Sequence, residues 1–435
     1  MTEWENAAGV TSPLHHLALA ADWDRSSPDY RGSTLGRSLE DEGFVHCSGT
    51  WQVQGIADAV YRGRSDVVLL TIDPERVGAD VRIEGGYPHV YGPVPTDAVV
   101  SARAVPLGGD GRLQLDDLLP EVLPGWPLAD LRSVAEAVDQ VPAGVDEVRV
   151  DGATILRWQA HATSPTFGAV HAHPDWGRQL AEVRPEVERA ARGSNVDEVW
   201  WWSDQPALDG ALYRAGATLV LTQRVEARDL TGAGSDTWLA AGNPPGVTVG
   251  VVDNWDMAMA MVEVETAGWR RDPCPPEALA EGWAGLQDDL AGGRGWRLLG
   301  SIDGLPAAVG ACRLVPLPEH LGRPPGETVA RLHGAVTLPA QRRRGMYTAI
   351  VAACCRIASA HGARLALTRA RQETAVPILE RLGFLPVSSE RCWVLPIAQH
   401  QPRAERPAAS EGPPPGSGPA IVSSWLDGST RCTSC

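Results

Sequence analysis

Val336-Thr337-Leu338-Pro339-Ala340-Gln341-Arg342-Arg343-Arg344-Gly345-Met346-Tyr347 separates an apolar run with strand character, Val329 to Val336, from a long helical pattern, Met346 to His361, that Gly362 is placed to cap. A glycine-containing turn that opens a helix leaves several backbone N–H groups without intrahelical partners, and the helix dipole adds to their attraction for an anion. The geometry suits a pyrophosphate. An arginine run alone reads as a solvated turn. The strand before it and the helix behind it turn this one into a candidate site. It also places three cations together in a chain with 38 Lys+Arg against 54 Asp+Glu, a formal net charge of −16.

Working outward, Val247 onward reads as strand, helix Trp255 to Ala267, a Pro-rich loop and helix Pro276 to Leu290. Strands Trp296 to Ile302 and Ala307 to Val315 flank Asp303-Gly304, a hairpin signal. Beyond the motif come strand Arg364 to Thr368, helix Thr374 to Leu382 and strand Cys392 to Leu395.

This order, with Arg342-x-x-Gly345-x-Tyr347 and Ile378-Leu379-Glu380-Arg381-Leu382-Gly383-Phe384, resembles the Gcn5-related N-acetyltransferase (GNAT) family over about residues 245–397. The family signature is Arg/Gln-x-x-Gly-x-Gly/Ala, from which Tyr347 departs. The resemblance implies acetyl-CoA as acyl donor. The backbone of Val336, Thr337 and Leu338 would meet the thioester and pantetheine, and the turn Arg342, Arg343, Arg344, Gly345, Met346, Tyr347 and Thr348 would hold the pyrophosphate. It also implies direct acyl transfer to an amine of a small molecule or protein. Many members carry a general-acid tyrosine four residues before the Gly of Gly-Phe. Leu379 stands there in this chain, which leaves the general acid unassigned and keeps a non-catalytic acyl-CoA sensor open as an alternative. Arg331, His333 and Ala335 alternate onto one strand face, making His333 the candidate base. Arg331 stands where some members place a glutamate base, and Glu263 and Glu265 could shape an amine pocket.

Residues 128–235 carry a helical pattern at Leu128 to Val138, strands near Val145 to Trp158, strand Glu198 to Trp202, helix Pro206 to Ala215 and strand Thr218 to Val225. The last three repeat the second part of the same fold without its glycine turn, so a degenerate GNAT-like copy that binds cofactor poorly is expected. Trp200 to Trp202 fit packing on both sheet faces. Gly232 to Pro245 reads as a linker.

Residues 13–107 resemble the domain of unknown function 952 family through Leu14-His15-His16-Leu17 with Trp23, Glu42-Gly43-Phe44-Val45-His46-Cys47-Ser48, and Pro88-His89-Val90-Tyr91-Gly92-Pro93. That family is distantly similar to the ADP-ribosyltransferase fold. On that view His16, His46, Ser48 and Tyr91 would line a cleft for an NAD-like ligand, with Glu84 as acidic partner. Structural hydrogen bonding is the other reading of these histidines. They lack metal-ligand spacing, and no metal is expected.

The fold class is thus α/β (α+β): a GNAT-type mixed sheet flanked by helices over 245–397, a degenerate copy over 128–235, an N-terminal α+β domain of short strands over 1–110, and a disordered Pro-rich tail over 398–435. The net negative charge disfavours nucleic acid. All cationic side chains are arginine, a mark of coding bias. Eight cysteines, with no second CxxC to pair with Cys432-x-x-Cys435, point to reduced thiols, and no run of 18 apolar residues or signal-like N-terminus is present, so a soluble cytoplasmic protein with no membrane partner is expected.

Overall fold

The structure, a computed structural model, describes residues 12–84, 86–138, 145–158, 170–174, 178–191, 196–231, 242–269, 276–317, 319–324 and 326–397. The expected disordered tail, 398–435, and most of the expected linker, up to residue 241, lie outside them. The chain divides into two compact units: residues 1–129 with 205–207, and residues 130–204 with 208–435.

The first unit contains β1 (Leu14–Leu19), β2 (Asp29–Tyr30), β3 (Gly32–Thr34), β4 (Arg37–Ser38), helix α1 (Leu39–Glu42), β5 (Val45–His46), α2 (Val53–Val60), β6 (Val67–Ile72), β7 (Val81–Glu84), β8 (Tyr87–Val90), β9 (Val94–Pro95) and β10 (Val99–Ala104). The apolar run at β6 is the middle strand of an antiparallel β1-β6-β10 sheet. Its period of two sends Leu70 and Ile72 into one core and Val67 and Leu69 into another, so both faces are covered. A second small sheet has the order β5-β8-β7.

The second unit holds most of α3 (Leu128–Val138), β11 (Val145–Val150), β12 (Ala153–Trp158), β13 (Val170–Pro174), α4 (Leu180–Ala191), β14 (Glu198–Ser203), most of α5 (Pro206–Arg214) and β15 (Thr218–Asp229). Then follow β16 (Val247–Val251), α6 (Trp255–Trp269), α7 (Pro276–Ala291), β17 (Gly295–Ile302), β18 (Leu305–Pro316), β19 (Thr328–Thr337), α8 (Met346–Ala360), β20 (Leu365–Arg371), α9 (Val376–Arg381) and β21 (Leu385–Pro396). The β17–β18 turn places both Asp303 (φ 53°) and Gly304 (φ 82°) in the left-handed region, the combination a tight hairpin needs.

All these strands form one sheet, β11-β12-β13-β14-β21-β15-β20-β19-β18-β17-β16. The stretches 128–235 and 245–397 are therefore not separate sheets. Each has exchanged its last strand: β21, from the end of the chain, pairs with β14, while β15, from the first half, pairs with β20. The exchanged strands pair antiparallel with each other at the centre. Within each half one parallel pair, β13 with β14 and β19 with β20, breaks the antiparallel run. Trp201 is buried among the side chains of α4 and α5, and Trp202 packs on the other side with Leu221 and Cys392. No described helix is long and apolar enough to cross a membrane.

Candidate functional site

β19 and β20 are hydrogen-bonded in parallel only at Ala330↔Ala366, Arg331↔Leu367 and Leu332↔Thr368, and they diverge from His333 onward. The register of β19 on β18 also skips between Val309 and Ala311, so that Gly310 faces both Gly334 and Ala335. Gly334 takes φ 61°, in the region that favours glycine. This bulge corrects the expected alternation. A Cβ on Gly310 would lie 2.4 Å from Ile350 Cγ2 of α8 and 3.8 Å from Ala335 Cβ, placing Ala335 on the α8 face. His333 neighbours Leu332, which joins the α8 core, and therefore points to the opposite face.

A cleft of about 740 Å³ opens at this splay. Its floor is the end of β19, and its rim is the turn into α8. Leu338 N–H donates to Ala307 O at 2.9 Å, a short 3₁₀ turn follows over Pro339–Gln341, and Arg343 (φ 65°) and Gly345 (φ 78°) reverse the backbone. The first i→i−4 bond of α8 runs from Ala349 N–H to Gly345 O at 3.0 Å, so the Met346, Tyr347 and Thr348 amides precede the helical ladder. A side chain at Gly345 would place its Cβ 2.7 Å from Pro244 Cγ, so the turn has no room for one.

Val336, Thr337, Arg342, Arg343, Gly345, Met346, Tyr347 and Thr348 line the cleft together with His333. Leu338 and Arg344 do not. Leu338 packs against the α6 side, and Arg344 is held by Asp303 Oδ2 at 3.0 Å and Gln341 Oε1 at 3.0 Å. Arg342 Nε–H reaches back to Thr337 O at 3.3 Å. Tyr347, where the motif calls for a small residue, lines the cleft, and burial raises its phenol well above the usual value, so it keeps its proton. Leu379 is fully buried in the core beneath α8. Glu265 pairs with Arg297 at 3.4 Å and Glu263 is exposed; neither lines the cleft.

Gln223, Trp269, Thr368, Arg369, Arg371 and Thr374 also line the cleft and were missed in the sequence. The Arg369-x-Arg371 alternation could have signalled its pair. Gln223 could not have been found, because it arrives on the exchanged strand β15, opposite Arg371. Three positions further along β15 on the other face, paired with Arg224, stands Glu226, fully buried. One of its carboxylate oxygens meets Arg224 Nη2 at 2.6 Å and the other has no hydrogen-bond partner. Burial lifts its pKa to about 7, with Arg224 opposing the shift.

In the first half, side chains of β13 and β14 meet one another. Trp202 Nε1–H donates to His171 Nδ1 at 2.9 Å, and His173 stacks on Trp202 with 6.1 Å between ring centroids. Burial, with His173 nearby, pulls the His171 pKa down to about 3, which keeps it neutral.

In the N-terminal unit, both ring nitrogens of His16 are engaged by protein groups. It is buried, with Nδ1–H donating to His46 O at 2.6 Å and Nε2 accepting from Tyr30 Oη at 2.9 Å. Burial brings its pKa down to about 4. Ser48 is also buried, its backbone paired with His15. His46 and Tyr91 do come together, around Phe44. The Phe44 ring lies 4.7 Å from His46, 4.1 Å from His89 and 5.4 Å from Tyr91, and Tyr91 Oη donates to Glu84 at 2.8 Å. His16→Ala is expected to leave the Tyr30 hydroxyl and the His46 carbonyl unpaired and to speed hydrogen exchange of the β1 and β6 amides by about 30-fold or more. Unchanged exchange would show that this imidazole is no structural bolt.

Residues 264–384 match the acetyltransferase (GNAT) family, and residues 18–102 match the family described as a protein of unknown function (DUF952). No curated protein matches the chain. Among solved structures, a GCN5-related N-acetyltransferase from Kribbella flavida is 20% identical, with a TM-score of 0.39, over 61% of this chain and 93% of its own. A tandem GNAT protein from the clavulanic acid biosynthesis pathway is 15% identical, with a TM-score of 0.42, over 62% of this chain and 94% of its own. Protein CC0527 from Caulobacter crescentus is 30% identical, with a TM-score of 0.23, over 25% of this chain and 97% of its own.

Proposed function

Because residues 264–384 match the acetyltransferase (GNAT) family, we propose that the chain moves an acetyl group from acetyl-CoA to an amine of a small molecule or protein. The observation that carries this reading is the splay of β19 from β20 beside the tight Gly345 turn. It joins an open strand edge to a set of helix N-terminal amides in one cleft.

The residues present fit the donor. The Met346, Tyr347 and Thr348 amides, with Arg342 and Arg343, would hold the pyrophosphate, and the free edge of β19 at Val336 and Thr337 would hydrogen-bond the pantetheine arm. When bound, the donor supplies a thioester, an acyl group activated toward amines. His333 faces the cleft from the side opposite α8 and would accept the amine proton. With Leu379 buried, the proton for the leaving sulfur would come from Tyr347 or from water. The buried leucine also favours a second reading, a non-catalytic acyl-CoA sensor.

Thiol release from acetyl-CoA across an amine panel separates the two readings. Turnover that falls about 100-fold or more in His333→Ala supports acyl transfer with His333 as base. Donor binding with no turnover of any amine supports the sensor.

A further inference from the structure

The cleft carries six arginines, Arg331, Arg342, Arg343, Arg369, Arg371 and Arg381, and no acidic side chain among the described residues that line it. In a chain with a formal net charge of −16, that is a concentrated positive site. The donor's phosphates would account for only part of it. Arg342 and Arg343 belong to the turn into α8, and Arg381 to the last turn of α9. The other three lie on strands, and the strand alternation fixes where they point. Ala330, Leu332, Ala366 and Ala370 all join the core under α8. Arg331, Arg369 and Arg371 therefore point to the opposite face, the one shared with His333, on which α6 and α7 pack against β17 to β19. The register supports this: Arg331 is the cross-strand neighbour of Arg313, which pairs with Asp289 of α7 at 2.8 Å.

On that face Glu390 forms an ion pair with Arg369 and accepts from Gln223 Nε2–H at 3.2 Å. Burial works against the Glu390 charge, but Arg369 and Gln223 outweigh it and hold the carboxyl below its usual value. Glu390 thus occupies Arg369, and Gln223, brought by the exchanged strand, stands beside Arg371. An amine seated at His333 would share the cleft with the Arg371 guanidinium.

From this we infer that the acceptor is an amine that also carries an anionic group, a carboxylate or a phosphate, and that Arg371 engages that group while His333 takes the amine proton. The inference deepens the acyltransferase reading and rests on it. In the reaction the amine nitrogen forms a bond to the acyl carbon, the carbon–sulfur bond breaks, the nitrogen loses a proton to His333, and the sulfur leaves as the thiol after taking one. A polyamine or a lysine-rich peptide would be repelled.

The test is thiol release by the full chain with acetyl-CoA and paired amines: glycine against glycinamide, glutamate against its diamide, O-phosphoethanolamine against ethanolamine, and spermidine. The expected result is a preference of about tenfold or more in kcat/KM for the charged member of at least one pair. The pair that shows it distinguishes carboxylate from phosphate. Arg371→Gln should compress that ratio toward one, and Arg371→Lys should restore part of it. Equal or better use of the neutral amines or of spermidine would overturn the inference, as would an absence of turnover throughout. In the last case, thiol release across a wider amine panel tells the two failures apart: if other amines are turned over, only the acceptor assignment has failed, and if coenzyme A binds but no amine is turned over, the acyltransferase reading has failed with it.

Discussion

Val225→Pro is expected to break the second unit across both of its halves. Val225 is buried in β15, between Arg369 of β20 and Ser388 of β21. β15 pairs with β20 at seven registers and with β21 at nine, so it is a central strand with neighbours on both sides. Proline there deletes a ladder donor and fixes φ near −65°, at a cost of about 3 kcal/mol or more, and the carbonyl left unpaired adds about 1–3 kcal/mol. Against a typical total of about 5–15 kcal/mol, that is a large share. The exchange spreads the damage: β15 is covalently part of the first half but holds β20, one wall of the cleft, in the second. Thermal unfolding should lose the second unit's transition or move it down by well over 10 °C, by the usual conversion of about 2–8 °C per kcal/mol. A wild-type melting temperature would mean that β15 does not lie between β20 and β21.

The second large effect belongs to Gly345→Val. The native φ of 78° suits glycine, a left-handed conformation costs other residues about 1–2 kcal/mol, and β-branching raises that cost. The added Cβ would also meet Pro244 Cγ at 2.7 Å. The turn must shift, and with it the Met346, Tyr347 and Thr348 amides. Acetyl-CoA affinity is expected to fall about 100-fold or more, the effect of misplacing several charge-assisted hydrogen bonds at once. α8 should survive, because its apolar face remains buried in the core. Circular dichroism close to wild type together with lost binding is the predicted pair of results. An affinity within about threefold of wild type would show that the turn does not hold the donor.

The local parts of this architecture were legible in the sequence because local chemistry determines them. The Gly345 turn, the Asp303-Gly304 hairpin and α8 with its Gly362 end all follow from backbone requirements within a few residues. The strand exchange did not show, because nothing within β15 or β21 says which half each will join; that choice is made by pairing across more than 140 positions in some registers, such as Gln223 with Arg371. The Gly334 bulge hid for a similar reason. It is a mismatch between two strands, and reading β19 alone put Ala335 on the wrong face. β13 and α4 were missed outright, α4 in part because Pro185 interrupts its pattern. In the N-terminal unit, three histidine motifs were visible, but their fates differ by burial, which a motif does not encode: His16 bolts Tyr30 to the β5 backbone, while His46 remains half-buried beside Phe44.

Titration calorimetry of the full chain with coenzyme A tests the central claim most directly. A single saturating site, weakened by Gly345→Val, is the predicted result, and the absence of binding heat at millimolar ligand, supported by an unchanged melting temperature, would contradict it.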